Sequence, residues 1–360
     1  MGSCTSVPEN ASIAEEEIEA SSALSSRNQT QKNDKNLNQL GISVHYLQTQ
    51  FMEEVCEAGL QETSKIYEIE NLQNEEPGVI RTKGLSIVSP IDNKIGAAYV
   101  HCLKGDDHVG EANFMLSYTW DYTIGDIIDT LDSYCMSNSL DPRCTYIWIC
   151  CLCVNQHRVF EQKKSGMLVP SDVFFNEFQS RVIGIGHVLA MMAPWKEPKY
   201  LTRIWCIFEI YTAHQYKDRC RVTIVMPPNQ KKELEHDLLN EKSHRFDTLY
   251  ETLGKTKIED AKATVEDDRI AILEMVRAKD GPGYRGLNNQ VNELLRGWVL
   301  SSIREAIKNQ EHAVQENYLN LDLENRNKKN LDLSFFNNKV GLTTTLVNLL
   351  FAHSEYNVKP

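Results

Sequence analysis

Trp205 and Glu209 stand four residues apart in the segment Arg203-Ile204-Trp205-Cys206-Ile207-Phe208-Glu209-Ile210-Tyr211. In a helix, residues i and i+4 lie one above the other, so this spacing puts an aromatic ring and a carboxylate on one face. Ile204, Ile207, Phe208 and Tyr211 follow the i, i+3, i+4, i+7 pattern of a stripe turned toward a core. The Trp205/Glu209 face lies a quarter turn or more round from that stripe, where a helix borders a cleft, and it is the candidate site. A second group of reactive side chains is Cys150, Cys151 and Cys153, with His157 following. These could ligate zinc or form a Cys-His nucleophile. No second CxxC pair or HxxxH follows at structural-zinc spacing, and no partner that would orient a nucleophile is identifiable. The flanking Trp, Ile, Leu and Val suit a buried strand, in which Cys151 and Cys153 would share a face and Cys150 would point the other way. Buried core cysteines are therefore expected, and no metal site.

Met1-Gly2-Ser3-Cys4-Thr5-Ser6 fits the M-G-x-x-x-[ST] pattern for N-myristoylation on Gly2. A single acyl chain holds a bilayer only marginally, and the usual polybasic second signal is missing: Glu15, Glu16, Glu17 and Glu19 would be repelled by an anionic leaflet. Cys4, as a palmitoylation site, is the expected second anchor. The chain is thus expected at the cytoplasmic face of a membrane, held there by acyl chains.

The elements that must position these residues alternate. Residues 1–38 are Ser, Asn, Gln, Glu and Lys with few large apolar side chains, a composition expected of a flexible tether. Residues 39–110 read as an N-terminal elaboration: Leu40 to about Leu60 has helical periodicity, and Ile80 to Val100 looks extended, punctuated by Gly84, Pro90 and Gly96. From about Glu111 strands and helices take turns. Strands are expected at Phe114–Tyr118, Tyr146–Val154, Gly184–Ala193 and Val222–Met226, with helices at Ile124–Cys135, Phe174–Val182 and around Trp205. This alternation calls for a parallel sheet covered on both faces, with ligands at the carboxyl ends of the strands, just after Tyr118 and Val154 and at the start of the Trp205 helix. Residues 230–310 form a helical extension, with helical patterns at Lys231–Leu253, Ala261–Ala278 and Leu287–Ile307. Residues 311–360 are a polar tail with a short closing helix at Leu342–Phe351.

A formal charge of -12 and a pI near 5.4 argue against nucleic acid as a partner, since phosphate binding needs a clustered basic surface. The longest uninterrupted apolar run, Ile147 to Val154, suits a buried strand rather than a membrane span. Ten cysteines without a secretory signal are expected to be reduced thiols.

Ser117-Tyr118-Thr119-Trp120-Asp121 resembles the S-Y-x-x-D opening of TIR (Toll/interleukin-1 receptor) domains, and Trp205-Cys206-Ile207-Phe208-Glu209 resembles the W-C-x-x-E of their third helix. Gly186–Pro194 is similar to the strand and S/A-P turn before that helix, and Val222–Pro227 to the strand after it. The resemblance covers residues 111–229. It is closer to TIR-like proteins of algae and other protists, which share a strand ending in Asn155-Gln156-His157 and a helical C-terminal extension.

The resemblance implies a flavodoxin-like parallel sheet and one of two activities. Some TIR domains cleave NAD at the nicotinamide bond with the carboxylate matching Glu209. Nicotinamide leaves without an acid because it is already cationic; the oxocarbenium-like ribose is what a fixed carboxylate stabilises. NAD would then be a substrate, with no resident cofactor. Trp205 would stack on a ring or wall the pocket, with Tyr118 and Asp121 across the cleft. Asn155, Gln156 and His157, at a strand end, are candidate ligand contacts; the plainer reading is a polar strand exit that satisfies nearby backbone groups. Many TIR domains act instead as signalling adaptors. That alternative implies self-association through residues 111–229 and an unidentified protein partner for the helical extension. For Glu209 the structural alternative is pairing with Arg203 or another base at the helix edge. The segment Asn155–Arg158 and the insertion through about Asp172 depart from the family pattern, where members carry a loop that covers the nucleotide.

Overall fold

A computed structural model of the chain describes residues 37–71, 74–166, 171–239, 257–263, 266–278 and 281–324. Gly2 and Cys4, all but the last two residues of the expected tether, and the expected closing helix Leu342–Phe351 lie outside the described residues. The chain divides into two compact units. The first takes in residues up to Met191, with Trp205–Val225 and Val265–Ala271; the second takes in Met192–Ile204, Met226–Thr264 and the chain from Ile272.

The first unit is built on a mixed six-stranded sheet. Its strands are β1 (Leu40–Ser43), β2 (Val109–Glu111), β3 (Phe114–Ser117), β4 (Tyr146–Ile149), β5 (His187–Met191) and β6 (Arg221–Val225), in the order β2-β1-β4-β3-β5-β6. β3 runs parallel to both β4 and β5, and β5 parallel to β6, with Leu116 opposite Ile149 on one side and Leu189 on the other. Met115, Leu116, Ile147, Trp148, Ile149, Val188 and Leu189 are all buried, as continuous apolar strands must be when helices cover both faces.

The expectation of an all-parallel sheet needs correcting. β1 pairs antiparallel with β4 and with β2, so strands from residues 39–111 extend the sheet. Gly41 makes the pairing close: a Cβ there would sit 2.9 Å from the Ile147 carbonyl carbon. Helix periodicity at 40–60 is realised only from Val44. A helical stretch, α1 (44–57), follows β1 directly and contains a π-helical segment at Leu47–Phe51. Ile80 to Val100 is not extended as expected. Val79–Gly84 is a helix and Tyr99–Cys102 a 3-10 turn, leaving one antiparallel bridge, Val88 with Ile95, between them.

The remaining helices of the first unit are α2 (Ile124–Ser137), α3 (Gln156–Ser165), α4 (Ser171–Ile185) and α5 (Ile204–Gln215). Thr123 caps α2, its hydroxyl accepting from the Asp126 N–H at 3.1 Å. Trp148 of β4 packs edge-on against Phe178 of α4, with ring centroids 5.6 Å apart, in a cluster with Met115, Val182, Val188 and Ala213. The expected strand Tyr146–Val154 stops at Ile149, the last β4 residue in register with β3. Cys150–Cys153 turn into a single helical turn, and the Ile149 N–H donates to Cys153 Sγ at 3.4 Å.

In the second unit α6 (Pro228–Leu239) packs with α8 (Gly283–Glu324), and Lys231 pairs with Glu305 at 2.9 Å. Pro228 opens α6, where its missing N–H costs nothing. Of the stripe expected along 287–307, Val291, Leu295 and Val299 are buried and Leu294 is half-buried, and Leu287 one turn earlier is buried with them. Between these helices in sequence comes α7 (Glu266–Arg277), whose first residues belong to the first unit.

Candidate functional site

Ser117 is the last residue of β3, and Glu209 lies one turn into α5 beyond Trp205. The Ser117 hydroxyl donates to Glu209 Oε2. One turn earlier on the same helix, Cys206 Sγ donates to the Tyr118 carbonyl at 3.4 Å. The S-Y and W-C-x-x-E motifs are therefore one joint: two side chains three apart on α5 engage two consecutive residues at the carboxyl end of β3. That position is fixed by topology. β3 has β4 on one side and β5 on the other, so its carboxyl end is the switch point where open α/β sheets hold ligands.

Glu209 is buried, at 6% exposure, and burial pushes its carboxyl up to about 8 against the opposing pull of the Ser117 hydrogen bond. Near neutral pH the group is mostly a neutral acid. Its hydrogen-bond partner is a hydroxyl, where the sequence had offered Arg203.

The other predicted site residues make contacts of their own. The Trp205 ring packs against Phe178 and Phe208, with centroids 5.5 and 5.9 Å away, and its Nε1 donates to Asp268 at 3.2 Å. Half-buried in this way, the ring belongs to the edge of the core. Tyr118 is buried, with its hydroxyl accepting from Cys150 Sγ at 3.6 Å, and burial raises its pKa. Asp121 forms an ion pair with Lys65 at 2.5 Å, at the surface.

Asn155 and Gln156 satisfy nearby backbone groups. Asn155 caps α3: its Oδ1 accepts from the His157 N–H at 3.1 Å, and its Nδ2 donates to the Gly96 carbonyl at 2.9 Å. Gln156 is buried and donates to the Cys150 carbonyl at 3.2 Å. His157 packs against Gly96, and burial lowers its pKa. Its Nε2 is buried with no hydrogen-bond partner.

The thiols behave as core groups, on a helical turn in place of a strand. Trp120 Nε1 donates to Cys150 Sγ at 3.4 Å. Burial pushes the Cys150 thiol up to about 11 and that of Cys153 to about 12, the wrong direction for a nucleophile. Among the described residues no group of three or more His, Cys, Asp or Glu side chains is placed to hold a metal ion. No helix among them is long and apolar enough to cross a membrane.

Three partners escape sequence reasoning. Ser117 and Cys206 lie inside the motifs but give no sign of what they bond, and Lys65 sits 56 residues from Asp121 with nothing in the spacing to connect them. Compared with family models, curated proteins and solved structures, the chain matches none of them.

Proposed function

We propose that this chain is a membrane-tethered TIR-like signalling module that works by protein-protein assembly, with Glu209 acting as a structural carboxyl. The four parallel strands run in the order second, first, third, fourth, as in a flavodoxin-like sheet. The observation that carries the choice of assembly over catalysis is the state of Glu209. Stabilising an oxocarbenium-like ribose takes an ionised, accessible carboxylate, whereas this one is buried, hydrogen-bonded to Ser117 and neutral near pH 7. Assembly runs through the α/β unit in this reading, with the helical extension contacting a separate protein partner.

A second reading rests on position. Glu209 lies at the switch point, and a carboxyl with a raised pKa there is what an NAD glycohydrolase or ADP-ribose cyclase would hold in reserve until assembly opened the site. One experiment separates the two. The purified full chain is concentrated, and separately placed on vesicles, while its size and its release of nicotinamide from NAD are followed. Assembly without release supports the module. Release that vanishes in Glu209→Ala establishes the enzyme instead, and a chain that neither assembles nor releases nicotinamide overturns both readings.

A further inference from the structure

Between the helix Val79–Gly84 and the 3-10 turn Tyr99–Cys102 the chain runs out and back as a short ribbon. Val88 and Ile95 form an antiparallel bridge, the Gly96 N–H donates to the Ile87 carbonyl at 2.9 Å, and the Ser89 N–H donates to Lys94 at 2.8 Å. Leu85, Ile87, Val88, Ile91 and Ile95 are all exposed, Ile95 at 67%. They are five of the nine large apolar side chains exposed among the described residues, and they fall within eleven consecutive positions. Scattered apolar residues need no explanation; five on one projecting ribbon do.

The ribbon is held from behind. Arg158 Nε pairs with Asp92 at 2.6 Å and its Nη2 donates to the Ile95 carbonyl at 3.0 Å, while Asn155 holds the Gly96 carbonyl. The Asn155–Arg158 segment, which departs from the TIR pattern, therefore serves to present this ribbon. The Arg158 pair also neutralises Asp92, the ribbon's own carboxylate.

We propose that the 85–95 ribbon inserts into the surface of a lipid bilayer and supplies the second membrane contact that a single acyl chain on Gly2 requires. The proposal rests on the tethered reading for its occupant. The ribbon offers Leu, Ile and Val, and its charged side chains are Asp92, paired with Arg158, and Lys94, whose long stem can carry its ammonium to the headgroups. The sequence lacks a polybasic segment, so the second contact has to be apolar or a further acyl group. Thirty-six residues precede the first described one, a length that reaches up to about 120 Å when extended, enough for Gly2 and the ribbon to meet one bilayer.

The test uses the full chain in two preparations, unmodified and enzymatically myristoylated on Gly2, with acylation read by mass. Each is titrated with neutral phosphatidylcholine vesicles as wild type and as the double variant Ile91→Asp/Ile95→Asp, whose melting temperature should match wild type because both positions are exposed. The expected result is at least tenfold weaker vesicle binding by the variant in both preparations, with wild-type binding insensitive to salt. Equal binding by wild type and variant overturns the proposal. So does a wild type that binds neither preparation's vesicles, or one that binds only anionic vesicles in a salt-dependent way. A variant that instead loses self-association, with vesicle binding intact, shows that the ribbon covers a second copy and also overturns it. If Gly2 does not accept myristate, the tethered reading fails while the unmodified arm still judges the ribbon.

Discussion

The Ser117 hydroxyl donates to the Glu209 carboxyl across a sequence separation of 92 residues, and this bond fixes the register between β3 and α5. The Cys206 bond to the Tyr118 carbonyl one turn earlier gives the joint a second point, so α5 can neither slide nor rotate on the sheet without losing both. A side-chain pair of this kind defines a position more than it adds stability, because a buried hydrogen bond is worth little net but is expensive to leave half made.

Substitutions at the joint should follow that asymmetry. Ser117→Ala leaves the buried carboxyl without its donor and should cost about 1–3 kcal/mol. Glu209→Gln replaces a mostly neutral acid with a neutral amide that still accepts from Ser117, and should cost under about 1 kcal/mol at pH 7. Urea denaturation of the two variants checks the order; a Gln variant less stable than the Ala variant would mean that Glu209 is ionised in the folded chain.

Stability should also depend on pH in a particular direction. Glu209 in the folded chain titrates near 8, against an unfolded value of about 4.3. Between those values the folded chain binds more protons than the unfolded chain, so the slope of stability with pH is negative. The contribution is fully present below the unfolded value and is lost as pH rises toward 8. Burial pushes Glu70 the same way, opposed by Arg81, and also raises Asp129 and Asp268, so the comparison with the variant is what isolates Glu209. Denaturation midpoints of wild type and Glu209→Gln between pH 5 and pH 9 should therefore converge on a smaller slope in the variant, and an unchanged slope would remove Glu209 as a source.

Much of the α/β unit was legible because its strands are short apolar runs and α2 has clean 3.6 periodicity: β3, β5, β6 and α2 lie within a few residues of their expected positions, and β4 begins where expected but gives way to a helical turn at Cys150. The antiparallel strands were not. β1 is four residues long, begins a segment whose apolar spacing continues into α1, and owes its extended state to pairing with β2 and β4, partners far away in sequence. The site was legible as two motifs but not as a joint, since spacing places Glu209 on a helix face without revealing that Ser117 closes over it. Trp205 shows the same limit of spacing. Periodicity assigned its face to a cleft, and the structure packs that face against Phe178.

Gly96 has φ +96, and a Cβ there would lie 2.9 Å from His157 Cγ. Gly96→Ala therefore meets both a disfavoured backbone and the His157 ring packed against it, and should cost more than about 1–2 kcal/mol. Gly59→Ala is the comparison: its φ is +78, but nothing lies within 4 Å of a Cβ. Thermal melts should place Gly96→Ala below Gly59→Ala. Equal melting temperatures would mean that the His157 contact yields freely and that the brace behind the ribbon is soft.

Thiol chemistry checks the reading of the cysteine cluster. Cys56 and Cys144 are exposed, Cys151, Cys206 and Cys220 are buried, and Cys150 and Cys153 lie between, with thiols raised by burial to about 11 and about 12. An ordinary thiol near 8.5 is roughly a quarter ionised at pH 8, whereas one at 11 is ionised to about one part in a thousand. Reactivity toward iodoacetamide follows the thiolate, and enclosure by Trp120 and Tyr118 slows Cys150 further. A brief exposure of the folded chain at pH 8 should label Cys56 and Cys144 and leave Cys150 and Cys153 unlabelled by peptide mass mapping. Denaturant should make all four react alike. Rapid labelling of Cys150 in the folded chain would instead mean that its thiol is open and acidic, and would return the Cys-His pair to consideration as a nucleophile.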